Sequence, residues 1–122
     1  MKLTARVAET IATALKANEF TVDSFLVKDL DKSFLKNYDC LIVGAPTMAF
    51  RASEGMRQFL DCLSRLDVSG KIVATFDTQV QAIISGNAAK EIEGKLKAIG
   101  CKPIAKPLTA FVQRKLRQND GI

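Results

Sequence analysis

Two short stretches hold the residues best placed to do chemistry. One is Ala45-Pro46-Thr47, continuing into Met48, Ala49, Phe50 and Arg51. The other is Phe76-Asp77-Thr78-Gln79. Each follows an apolar run, Cys40-Leu41-Ile42-Val43 in the first case and Ile72-Val73-Ala74 in the second. Neither run alternates with polar residues, the pattern of a strand covered on both faces. A buried strand ending in a small, Pro-containing loop delivers that loop to the carboxyl edge of a sheet, where open α/β sheets bind ligands. The chain has no histidine. That removes the commonest general base, the Ser-His and Cys-His pairs and most zinc sites. The three cysteines, Cys40, Cys62 and Cys101, are odd in number, far apart and without a C-x-x-C pair. Neither a zinc site nor a dithiol is indicated, and each reads as a small buried hydrophobe. No side-chain catalytic machinery is evident, so redox or group-transfer chemistry here must be carried by a cofactor.

The elements that position these stretches follow from periodicity. Thr4 to Asn18 reads as an amphipathic helix with Leu3, Val7, Ile11, Ala14 and Leu15 on one face, Thr4 as its N-cap and Asn18 ending it in a left-handed conformation. Phe20 to Val27 reads as a strand with Phe20, Val22 and Phe25 inward. Asp29 to Asn37 is a connector with a short helical turn around Phe34 and Leu35. Tyr38 to Gly44 is the first buried strand. Ser53 caps a helix to about Arg65 whose stripe is Met56, Phe59, Leu60, Leu63 and Leu66. Gly70 to Phe76 is the second buried strand, and Asp77 to Ser85 a nine-residue loop, longer than most βα connections. Asn87 to Ile99 is a helix with Ile92, Leu96 and Ile99 inward, pairs Glu91–Lys95 and Glu93–Lys97 on its solvent face, and Gly100 as C-cap. Cys101 to Val112 is a strand interrupted at Pro107. Residues 113–122 form a polar, basic tail expected to fray, and Arg114, Lys115 and Arg117 read as its solvated face.

Alternating strands and helices imply a parallel sheet with right-handed crossovers. With 122 residues, 48 % of them hydrophobic and 25 % charged, the chain suits a single globular domain over 1–122. No apolar run approaches the ~18 residues of a membrane span, and no secretory signal is apparent. A cytoplasmic protein with no membrane partner is expected. The net charge of +5 favours an anionic ligand or partner. Without basic–aromatic interleaving it does not indicate nucleic acid.

Asp39-Cys-Leu-Ile-Val-Gly-Ala-Pro-Thr47 resembles the Y-D-x-I-I-x-G-x-P-T strand and loop of the flavodoxin family. The resemblance continues through Phe59-Leu60-Asp61-Cys62-Leu63, Gly70 to Thr78 and Lys95 to Cys101, in the right order over nearly the whole chain. It implies an α/β fold, a flavodoxin-like three-layer α/β/α sandwich with a mostly parallel sheet. It also implies FMN as cofactor, low-potential electron transfer as function, and redox proteins as partners. The Pro46–Arg51 loop corresponds to the one lying along a face of the isoalloxazine ring. A flat ring needs a polarisable or aromatic contact, which Met48 or Phe50 supplies, and backbone amides for its polar edge. The Phe76–Gln79 turn corresponds to the second flavin loop. The site residues so implied are Thr4, Pro46, Thr47, Met48, Ala49, Phe50, Asp77, Thr78 and Gln79, with Thr4 and the first amides of its helix at the phosphate.

Val7-Ala8-Glu9 and Thr4 match the end of the family's opening segment. The first strand and most of the T-x-T-G-x-T phosphate loop are missing, an N-terminally truncated pattern. A mis-assigned start or a fragment of a longer parent accounts for this, as does pairing of the two orphaned strands with each other. So does a second copy covering them. A cofactor-free interaction or assembly module is the alternative function. The loss of a central strand leaves inner edges of Phe20 to Val27 and Tyr38 to Gly44 without Pro or inward-pointing Lys to protect them. A homodimer is therefore expected. Light scattering at micromolar concentration should give twice the 13.3 kDa chain mass; a compact, cooperatively unfolding monomer would contradict it.

Overall fold

In the computed structural model the described residues are 2–48, 51–80 and 87–112. Residues Ala49 and Phe50, the segment 81–86 and the tail 113–122 lie outside them. Helix α1 spans Lys2–Ala17. After two 3-10 turns, Val27–Asp29 and Lys32–Asn37, come β1 (Cys40–Met48), β2 (Arg51–Ala52), α2 (Glu54–Leu63), β3 (Ile72–Val80), α3 (Ala88–Ala98), β4 (Lys102–Pro103) and β5 (Leu108–Val112).

The sheet has the order β2-β1-β3-β4, with β5 also on β3. β1 and β3 run parallel from Cys40 opposite Ile72 to Pro46 opposite Thr78. β4 and β5 are two pieces of one strand position. Lys102 and Pro103 lie opposite Ile72 and Val73, and Leu108 to Val112 lie opposite Phe76 to Val80. The chain thus leaves the ladder around Pro107 and rejoins it, the interruption expected there. Among the described residues only β2 is antiparallel, pairing with Thr47 and Met48. β1 and β3 outrun their expected ends. Their register holds through Pro46 and Thr78 even though the apolar pattern stops earlier. Among the described residues β1 has no partner on its other side at Pro46, the kind of edge position where a strand tolerates proline.

The two faces of the sheet are unequally covered. On one, Leu41, Val43, Ala45 and Val73 meet Met56, Phe59, Leu60 and Leu63 of α2 and Ala88, Ile92 and Leu96 of α3. Leu63, Val73, Ile92 and Leu96 have no exposed surface. Ser53 Oγ accepts from the Met56 amide and Asn87 Oδ1 from the Lys90 amide, so both helices start at the expected caps. Gly100, at φ +99°, ends α3 as expected; a Cβ there would lie 2.6 Å from Ser69 Oγ. On the opposite face only α1 is described. Ala12 and Phe76 are buried there, but Ile42 and Ile72, expected in the core, are 40 % and 39 % exposed, and Val7 and Ile11 are half-buried.

Further expectations are corrected. Residues 20–27 form no strand, and Phe20, Phe25 and Leu26 are exposed. An alternating segment becomes a strand only beside a partner ladder, and among the described residues the only strand beyond β1 is the two-residue β2, which pairs with Thr47 and Met48 alone. The direct pairing of two orphaned strands is not formed among the described residues, and the outer side of β1 is without a described partner from Cys40 to Pro46. Thr4 is not an N-cap, since α1 already begins at Lys2. The left-handed residue after α1 is Glu19, φ 70°, not Asn18, whose Nδ2 donates to Ala14 O. Only Cys101 among the cysteines is buried; Cys40 is exposed and Cys62 intermediate.

Leu41→Ala or Phe59→Ala should each destabilise the protein by about 2–5 kcal/mol in chemical denaturation. Losses well below 1 kcal/mol at both positions would contradict this core.

Candidate functional site at the carboxyl edge

Because β1 and β3 are in register, they end side by side, and Thr47-Met48 and Gln79-Val80 emerge together. Two helices start at the same edge. Thr4 in the first turn of α1 shares a hydrogen bond with Thr78, Oγ1 to Oγ1 at 2.8 Å. The amide of Ala88, the first residue of α3, reaches Asp77 Oδ2 at 3.1 Å and Thr47 Oγ1 at 3.0 Å. Alternation in β3 separates these contacts, with Thr78 turned to α1 and Asp77 to α3.

Asp77 has no exposed surface. Its Oδ2 accepts from the Thr47 hydroxyl, from Gln79 Nε2 at 2.8 Å and from the Ala88 amide. Its Oδ1 is buried without a hydrogen-bond partner. An acidic side chain at a helix start meets the positive end of the helix dipole, so Asp77 ties β1, β3 and α3 at one point. Beneath it the Phe76 ring lies across Gly44, where a Cβ on residue 44 would fall 2.0 Å from the ring. Only glycine admits that ring.

A second tie reaches the hairpin from the other leg. Glu91, in the first turn of α3, accepts from the Ala52 amide through Oε1 at 2.9 Å, and its Oε2 stands 3.9 Å from Arg57 Nε. Arg57 also pairs with Glu54 at 3.3 Å. Glu91 therefore faces the hairpin and α2 rather than Lys95.

The structure gathers Thr4, Pro46, Thr47, Asp77, Thr78 and Gln79 at one edge. Met48 ends β1 there, while Ala49 and Phe50 lie outside the described residues. The helix α3 contributions, Ala88 and Glu91, were not legible as site residues. A Glu in the first turn of a capped helix was the available signal. Burial pushes the thiol of Cys101 above the usual cysteine range, opposed by Lys71. Among the described residues no helix is long and apolar enough to cross a membrane.

The structure superposes on a flavodoxin from the domain Archaea with a TM-score of 0.82 at 23 % identity, over 96 % of this chain and 79 % of the other. Against oxidised flavodoxin 2 of Bacillus cereus the TM-score is 0.81 at 24 % identity, over 96 % and 81 %. The fold is that of the flavodoxins. A Fusobacterium nucleatum flavodoxin bound to flavin mononucleotide matches with a TM-score of 0.61 at 21 % identity, over 71 % of this chain and 54 % of the other. No family model and no curated protein matches the sequence. In the flavodoxin strand order 2-1-3-4-5, β1, β3 and the β4/β5 pair take the third, fourth and fifth positions. The outer side of β1 then faces the topological switch point, and β2 pairs with its carboxyl end at Thr47 and Met48.

Proposed function

We propose that this flavodoxin-fold chain binds FMN at the carboxyl edge beside β1 and serves in low-potential electron transfer. The observation that carries the reading is the 2.8 Å contact between Thr4 and Thr78, which sets the start of α1 against the end of β3, next to the β1 hairpin. The residues present fit the cofactor at both ends. Of two hydroxyls sharing one hydrogen bond, only one donates to the other, so one O–H of the Thr4–Thr78 pair is left for a phosphate oxygen. The first turn of α1 has no acidic residue, and its free amides favour an anion, with Arg6 one turn away adding positive charge. At the ring end, the side chains of Thr47, Asp77 and Gln79 are engaged with one another, which leaves backbone groups of the two strand ends to meet the polar edge.

FMN, when bound, supplies electron transfer at its isoalloxazine ring. Asp77, buried below the edge, sets an acidic group where it opposes added negative charge on a nearby ligand, which lowers the potential. The net charge of +5 favours acidic redox partners through steering.

Fluorescence titration with FMN tests the reading. The wild-type protein should bind, and Met48→Ala combined with Phe50→Ala should weaken binding at least about tenfold, the equivalent of losing ~1.4 kcal/mol of ring contact. Unchanged affinity in the double variant would remove the hairpin from the site. A wild-type protein that binds no FMN would leave the cofactor-free module as the better account.

A further inference from the structure

The hairpin Thr47–Ala52 has two legs, and each is tied to the first turn of α3 by a different acidic residue. On the β1 leg, Thr47 bonds Asp77 and the Ala88 amide. On the β2 leg, the Ala52 amide bonds Glu91 Oε1 at 2.9 Å. Ala52 is 4 % exposed and pairs across the hairpin with Thr47, so the Glu91 bond satisfies a buried donor. β2 has only two residues, and such a short ladder does not fix a hairpin by itself.

The far side of the Glu91 carboxyl is less settled. Oε2 and the facing Arg57 Nε are both buried, oppositely charged and without a hydrogen-bond partner, 3.9 Å apart. Their attraction draws Glu91 toward α2, while the Ala52 bond draws it toward the hairpin. Glu91 side-chain exposure is 22 %, so this attraction is only partly screened. Glu91 therefore spans three elements, α3, the hairpin and α2, from one side chain that does not reach the strand ends themselves.

We propose that Glu91 is the positioning residue of the β2 leg: it fixes Ala52 beside Thr47 at the carboxyl edge, acting through the Ala52 amide. This rests on the FMN reading for its functional consequence, but the anchor itself is a property of the chain alone. It assigns Glu91 a role that its helical spacing to Lys95 does not suggest.

The test uses the full chain with Glu91→Ala and Glu91→Gln. Gln keeps an oxygen that accepts from Ala52 and loses the charge facing Arg57. Hydrogen exchange of the Ala52 amide and FMN affinity are both read, with urea denaturation to confirm folding. In Glu91→Ala the Ala52 amide should exchange roughly ten- to a hundredfold faster, and FMN affinity should fall about tenfold. In Glu91→Gln both should return to within about threefold of wild type. Ala52 protection unchanged in Glu91→Ala would overturn the proposal, as would a loss of FMN affinity that Gln fails to rescue. If Ala52 responds as stated while wild-type protein binds no FMN, the anchor stands and the functional reading falls.

Discussion

One oxygen of the fully buried Asp77 side chain takes three donors, from Thr47, Gln79 and Ala88. These belong to the end of β1, the end of β3 and the start of α3. A donor left unpaired in such a place costs about 1–3 kcal/mol, and networks of this kind do not come apart additively. The arrangement of the carboxyl edge depends on this point. The parallel register of β1 on β3 brings Thr47 within reach of Asp77. The N-terminal end of α3 is then drawn onto the same oxygen, where its dipole is best met. With α3 fixed, Glu91 is placed to bond the Ala52 amide, so β2 is tied to α3 as well.

The α1 face contrasts with this ordered edge. Phe76 is held in place by the absence of a side chain at Gly44, and Thr78 by Thr4. Elsewhere on the sheet, Ile42, Ile72, Ile104 and Leu108 keep between 39 % and 64 % of their surface exposed. At about 25 cal/mol per Å² of apolar area, the buried face of α2 and α3 supplies most of the hydrophobic stabilisation. The α1 face contributes chiefly where α1 crosses β1 and β3.

How much of this the amino-acid pattern reveals depends on whether a feature is local. α2 and α3 are legible because Ser53 and Asn87 are caps followed by apolar residues at helical spacing. β1 and β3 are legible because Leu41-Ile42-Val43 and Ile72-Val73 cannot be amphipathic. Residues 20–27 mislead because alternation marks a strand only if a ladder is present to receive it. The true ends of β1 and β3 are hidden for the converse reason: Pro46 and Asp77 look like loop residues, and only their mutual register keeps them extended. At the site, Thr47, Asp77 and Thr78 stand out through resemblance to the flavodoxins, but their partners do not. Glu91 reads equally well as a solvent-facing partner of Lys95, and nothing local says that Ala52 lies closer. Thr4 looks like a cap until α1 is seen to begin earlier.

The claim on which the rest turns is that Asp77 and Thr47 act as one joint rather than as two separately placed polar residues. A double-mutant cycle with Thr47→Val and Asp77→Ala, read by urea denaturation, measures that directly. If the joint is real, the double variant will lose less stability than the sum of the single variants, with a coupling of about 1–3 kcal/mol. Losses that add to within about 0.5 kcal/mol would mean that the two side chains do not depend on each other, and the account of the carboxyl edge would have to be abandoned.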